Sequence, residues 1–323
     1  YALSNLGSIA NAQSQPEKAL EKFQAAAAIG EKLLDDNPAN ADLAMNLADT
    51  ISWIGTSLLD LGQLKAARAQ FRKAAEIMRP FHQKGKDKRA SDYYARILGL
   101  YGDAEYNAGA IASGTEALLE SVTIYDELHK EDATNNFRQS TATRSDISLL
   151  SINPPGLWSM NDQKKVSEIQ QQINAQLSEE PSDTDLIMLK GKLQRMQLIR
   201  ILKTDETAAQ KQAEQFWAEW QFALKGKKRT PDLNLTEAML EETLGNAYFR
   251  AGDTAKAEQA WKSSAAKLKE LNSNNLSFFA MQRLLALNLG QMDVAGEMES
   301  KLNKAGFHDP RMDPAYTQSG ALN

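Results

Sequence analysis

Apolar and small residues recur along the chain with helical period, in paired segments, and one short phrase recurs between the members of a pair. LGQLKAARAQF, from Leu61 to Phe71, has Gly at its second position, Ala five residues on and an aromatic four residues later. AGDTAKAEQAW, from Ala251 to Trp261, repeats it. SQPEKALEKF carries Ser14, Ala19 and Phe23 at the same spacing, and LGQMDVAGEME carries Gly290 and Ala295. The pattern predicts helical hairpins. A first helix ends where Gly62, Gly252 or Gly290 can take a left-handed cap. The second helix opens on a small residue, Ala19, Ala67, Ala257 or Ala295, where two backbones approach closely. One turn later Phe23, Phe71 or Trp261 fills the groove between helices.

The first helices have their own mark: a Gly inside the helix (Gly7, Gly55, Gly245) among apolar residues such as Leu244 and Tyr248. A mid-helix Gly costs about 1 kcal/mol relative to Ala, so its recurrence at one place points to close packing there. In a third copy Leu98, Tyr101, Gly102 and Gly109 fit, and AIASGTEALLE reads as an insertion before Ala117 with a longer turn. Helix starts such as PANADLAM (Pro38 to Met45) and PSDTDLIM (Pro181 to Met188) precede the hairpins. Seven hairpins result, over 1–35, 40–81, 88–130, 134–179, 183–225, 233–270 and 274–305. The match is weak between 131 and 230, where NPPG (Asn153 to Gly156) reads as a rigid turn. The stripe Phe216, Trp217, Trp220 and Phe222 there reads as core between repeats. The expectation is an all-α chain: one solenoid over 1–305, then an extended tail over 306–323.

These residues resemble the tetratricopeptide (TPR) repeat: small at position 8, apolar or aromatic at 11, Gly at 15, Ala at 20 and aromatic at 24. Gly245, Tyr248, Gly252, Ala257 and Trp261 follow it closely, as do Gly55, Gly62, Ala67 and Phe71. In the last repeat Glu299 replaces the aromatic, as suits an end face open to water. The resemblance implies a concave face lined by the first helices. Carried over, it puts Met239, Glu242, Asn246, Phe249 and Arg250 of the sixth hairpin there, and Asp49, Ser52, Thr56, Leu59 and Asp60 of the second. Asn246 and Arg250 lie one turn apart and are the expected peptide contacts, an amide for backbone and a guanidinium for a carboxylate. The array also resembles the C-terminal part of bacterial regulators or serine/threonine kinases. The chain starts at Tyr1 inside a helical pattern and reads as a piece of a longer protein, so any catalytic domain would precede Tyr1.

Composition narrows the functions. Only three Val stand in 323 residues, and Gly and Pro are few, which disfavours a sheet. The net charge is −5 with both signs interspersed. The densest basic runs, Lys84 to Arg89 and Lys225 to Arg229, read as solvated loops, so nucleic acid is not an expected partner. The absence of Cys removes thiolate metal sites and Cys nucleophiles. No apolar run is long enough to span a membrane, and the compartment stays open between cytoplasm and periplasm. His82, His129 and His308 fall in no metal or triad spacing. Hence no catalytic residue, metal ligand or cofactor is expected. Asp103, Glu105 and Tyr106 form the most cleft-like cluster. The leading expectation is a scaffold that binds protein or peptide. The alternatives are a regulatory region of a bacterial signalling protein and an enzyme with an acidic groove.

Overall fold

The computed structural model describes residues 2–85, 87–131, 136–153, 158–269 and 274–313, the side chains of 136 and 137 excepted. Fourteen α-helices and no strand occur among them. They are α1 (Ala2–Ala12), α2 (Pro16–Asp36), α3 (Ala41–Asp60), α4 (Leu64–Gln83), α5 (Lys88–Asn107), α6 (Ile111–Glu131), α7 (Asn136–Leu150), α8 (Met160–Glu179), α9 (Thr184–Ile201), α10 (Glu206–Ala223), α11 (Pro231–Arg250), α12 (Thr254–Lys269), α13 (Leu276–Asn288) and α14 (Met292–Ala305). The helices fall on the predicted spans, and the fold is all-α. It divides into two compact units. One holds Tyr1–Leu149, Ser273–Leu276 and Asn303–Asp309; the other holds Leu150–Asn272, Ser277–Leu302 and Pro310–Asn323. In the first unit hairpins stack in order, α2 on α3 and α4 on α5. In the second, α11 pairs with α12 and packs on α9 and α10.

One turn geometry closes the first, second, third, sixth and seventh hairpins. Ser14, Gly62, Gly109, Gly252 and Gly290 all take positive φ, from 56° to 84°. The next residue then donates its N–H back across the turn: Gln15 to Ala10 O (3.0 Å), Gln63 to Leu58 O (2.8 Å), Ala110 to Glu105 O (3.0 Å), Asp253 to Tyr248 O (2.9 Å) and Gln291 to Ala286 O (2.8 Å). This left-handed cap satisfies carbonyls the helix leaves open.

The small-residue positions are occupied by rings. A Cβ on Gly7 would lie 2.7 Å from Phe23 Cε1, and one on Gly55 2.6 Å from Phe71 Cε1. One on Gly245 would run into the Trp261 indole. Ala19, Ala67 and Ala257 are fully buried, and Ala295 is buried. The third hairpin differs from expectation. α5 ends at Asn107 and α6 starts at Ile111, so its turn is no longer than that between α3 and α4. Gly114 takes the Ala position there, touching Gly102 O, and Leu118 takes the place of the ring. A Gly in the slot let the Ala three residues on pass for the marker.

The C-terminal segment is anchored where it is described. Phe307 is buried, and the His308 N–H donates to Asn107 O at 2.8 Å within the first unit. Pro310–Met312 forms one 3-10 turn. Residues 314–323 and 154–157, which include all but Asn153 of the NPPG turn, lie outside the described residues.

Candidate functional site

The five residues expected on a concave face separate. Met239 and Phe249 are half-buried against the apolar cluster of Trp261, Leu284 and Leu285, on which Met312 also packs. Arg250 is exposed. Glu242 and Asn246 do not face a groove: they are 0% and 1% exposed. The amides of Asn246 and Asn288 donate to Glu242 Oε1 at 2.8 and 3.3 Å. Trp261 Nε1 donates to Asn246 Oδ1 at 3.1 Å, and the Arg195 guanidinium lies 3.6 Å from Glu242 Oε2. α11 is covered on nearly every side. Its inward polar positions must therefore be satisfied internally, and Asn246 is committed to this network rather than presented to a ligand.

Other acidic residues are also matched. Burial pushes the Glu105 carboxyl up, but the Arg68 guanidinium, bound through both nitrogens at 2.8 Å, and Ser113 Oγ outweigh that and hold it below the usual carboxylate value. Asp103 accepts from Ser148 Oγ at 2.9 Å. In the first unit Arg96 meets Asp49 at 2.5 Å and Arg138 meets Asp92 at 3.4 Å. Burial raises the Asp92 carboxyl against the pull of Arg138. In the second unit burial raises Glu241 too, although Lys267 Nζ lies 2.7 Å away. Each raised carboxyl faces a cation, the arrangement of an inter-helix tie. Among the described residues no cluster of three or more His, Asp or Glu is placed to hold a metal.

An open site lies elsewhere, in the second unit. Where α8 and α10 flank α9 there is a cleft of about 210 Å³. Val166, Ile201 and Phe216 give it apolar walls, and Gln163, Gln197 and Arg200 give it polar groups. Arg200 donates to Gln163 Oε1 at 2.9 Å and meets no carboxylate among the described residues. Gln197 Oε1 is hidden from solvent and accepts no hydrogen bond. A buried acceptor left so costs about 1–3 kcal/mol.

The cleft lies where the repeat signature fails. Ala19, Ala67, Ala257 and Ala295 are each the fourth residue of their helix, and in α10 that residue is Ala209. In that register Ala213 replaces the aromatic and Gln197 replaces the internal Gly. The same count in α8 puts Gln163 and Ser167 in the Ala and aromatic slots. The Gly–ring contact of the fifth hairpin is instead Gly191 against Trp220, further from the turn, and amides border the cleft. The aromatic stripe of α10 is only partly core: Trp220 is buried, Phe216 and Trp217 are half-buried, and Phe222 is 82% exposed.

No protein-family model matches the sequence, and no curated protein does. Solved structures do. BtubC (BKLC) from P. vanneervenii has the same fold at a TM-score of 0.50 and 16% identity, over 80% of this chain and 92% of that one. The fold is TPR-like. A tetratricopeptide repeat protein from Parabacteroides merdae ATCC 43184 matches at a TM-score of 0.45 and 13% identity, over 100% of this chain and 98% of that one. NprR in complex with its cognate peptide NprX matches at 0.49 and 12%, over 99% and 81%. Within the TPR-like register, Leu6 and Ile9 of α1 correspond to Ile54 and Ser57 of α3 and to Leu244 and Ala247 of α11, all four of which are buried. In α1 the two residues are 50% and 54% exposed.

Proposed function

We propose that the chain is a non-catalytic scaffold whose first hairpin docks an apolar helical segment, from a partner protein or from residues before Tyr1 of a longer chain. The half-exposed pair Leu6 and Ile9, at positions that later hairpins bury, carries this reading. Ile29 and Leu33 of α2, one turn apart, are comparably exposed. α1 has no charged residue, so an incoming apolar helix need not desolvate any charge on it. Completing the burial of one such side chain contributes about 1 kcal/mol, from about 25 cal/mol per Å² of apolar surface. The occupant that fits is an amphipathic helix laid on α1 as α2 is laid on α3. A photo-crosslinking residue at exposed Asn5 would capture that partner. Ile9→Glu should abolish the capture without unfolding the chain, and Met160→Glu, at an 86% exposed residue of α8, should leave it intact. Undiminished capture by Ile9→Glu sinks the proposal, and capture of a second copy alone replaces the partner with self-association.

A further inference from the structure

The cleft flanked by α8 and α10 is separate from α1, and its chemistry asks for a different kind of ligand. We infer that it binds a small carboxylate bearing an amide N–H and an apolar side chain, the chemistry of an N-acylated apolar amino acid.

Three features of the lining lead there. Arg200 supplies the one cation, and no acidic side chain lines the cleft to neutralise it. Its hydrogen bond to neutral Gln163 leaves the charge unbalanced and holds the guanidinium in position. A monoanion answers that, and a carboxylate matches the planar fork. Gln197 Oε1 lies hidden in the cleft wall with no donor, and a turn of that side chain toward the cleft lets an amide N–H next to the carboxylate supply one. Val166, Ile201 and Phe216 then take a hydrocarbon side chain. A volume of about 210 Å³ suits a single residue of this kind rather than a folded partner. The same group occurs free, as an acyl amino acid, or as the last residue of a peptide.

Both sources can be tested on the full chain. N-acetyl-leucine, acetyl-Gly-Gly-Leu with a free carboxylate, and N-acetyl-leucinamide are titrated by calorimetry. The Trp158 indole N–H, at the cleft wall, is followed by NMR. At least one of the two acids should bind saturably and shift that signal, and the preferred one identifies the source. The neutral amide should bind about tenfold more weakly or worse, as loss of a charge-assisted hydrogen bond requires. Arg200→Gln should remove that discrimination. Gln197→Met separates binding from folding: deleting an unpaired buried acceptor should raise the melting temperature while weakening the acid. Failure of both acids to bind at millimolar concentration overturns the inference, as does equal binding of the amide. So does a Gln197→Met chain that binds as well as the natural one.

Discussion

Gly→Ala substitutions should have opposite signs at different places in this fold, and the sign follows from what a Cβ would meet. In α14 a Cβ on Gly296 meets nothing within 4 Å, and the residue is exposed in mid-helix. Gly296→Ala therefore gains only helix propensity and should stabilise by about 0.8–1 kcal/mol. Gly55 gains the same propensity, but its Cβ would sit 2.6 Å from Cε1 and 2.8 Å from Cζ of Phe71. Phe71 is fully buried and has nowhere to retreat, so the cost of overpacking, about 1–3 kcal/mol, applies. The net for Gly55→Ala is destabilisation by up to about 2 kcal/mol. Gly30 is intermediate, because its Cβ would lie 3.0 Å from the flexible end of Leu47. Urea unfolding of the three variants, followed by far-UV circular dichroism, should give Gly296→Ala above wild type, Gly30→Ala near it and Gly55→Ala below it. A Gly55→Ala chain as stable as Gly296→Ala would mean that the Gly–ring contact does not set the helix spacing.

Three further outcomes follow from the same geometry. Phe71→Ala should cost about 3–5 kcal/mol in urea melts, since the ring is fully buried against Gly55; a loss below about 1 kcal/mol on that scale would contradict its burial. Glu242→Ala strands the buried Arg195 guanidinium and should cost about 3–5 kcal/mol, whereas Arg250→Ala, at an exposed residue, should be near neutral by the same melts. The folded Glu105 carboxyl titrates below its ordinary 4.5. Its stabilisation is therefore complete above that value and is lost as pH falls through the lower folded value. Urea midpoints across acid pH should fall less steeply for Glu105→Gln than for wild type, and parallel curves would refute the assignment.

The hairpins were legible in the sequence because their turns and contacts use residue types that little else requires. Positive φ at the hairpin turns selects Gly, and Ser14 at φ 56° shows the one departure. A ring against a backbone selects Gly7, Gly55 and Gly245. Where the slot changed residue type the reading slipped, as with Gly114 standing for Ala in the third hairpin. The concave face was not legible for a different reason. Position in a repeat says which way a side chain leaves its helix, but not what the rest of the chain sets against it. Glu242 and Asn246, expected on the concave face, are buried in a network with Arg195, Asn288 and Trp261 supplied by other helices.

α8, α9 and α10 depart from the signature that the first, second, third and sixth hairpins keep, and the departure borders the cleft. In the first, second and sixth hairpins the slot is closed by a Gly facing a ring, and in the third by Gly102 facing Leu118, which leaves neither volume nor polar atoms. Gln163, Ser167 and Gln197 in those slots, with Ala213 for the ring, forfeit that packing and leave a hidden oxygen without a donor. Nothing in the scaffold requires this exchange, since four other hairpins keep Gly or a ring there. A stretch that breaks its own repeat and leaves a polar atom unsatisfied is where function is expected to have overridden stability. Refilling the slot should therefore trade one for the other. Gln212→Phe with Gln197→Gly puts a ring at one wall of the cleft and a small residue at another. The double variant should close the cleft: calorimetry should find no binding of either acid, and urea melts should show stability at or above that of wild type. A double variant that still binds would place the ligand outside the cleft. One that unfolds, where each single variant folds, would show that the cleft has no room for a ring.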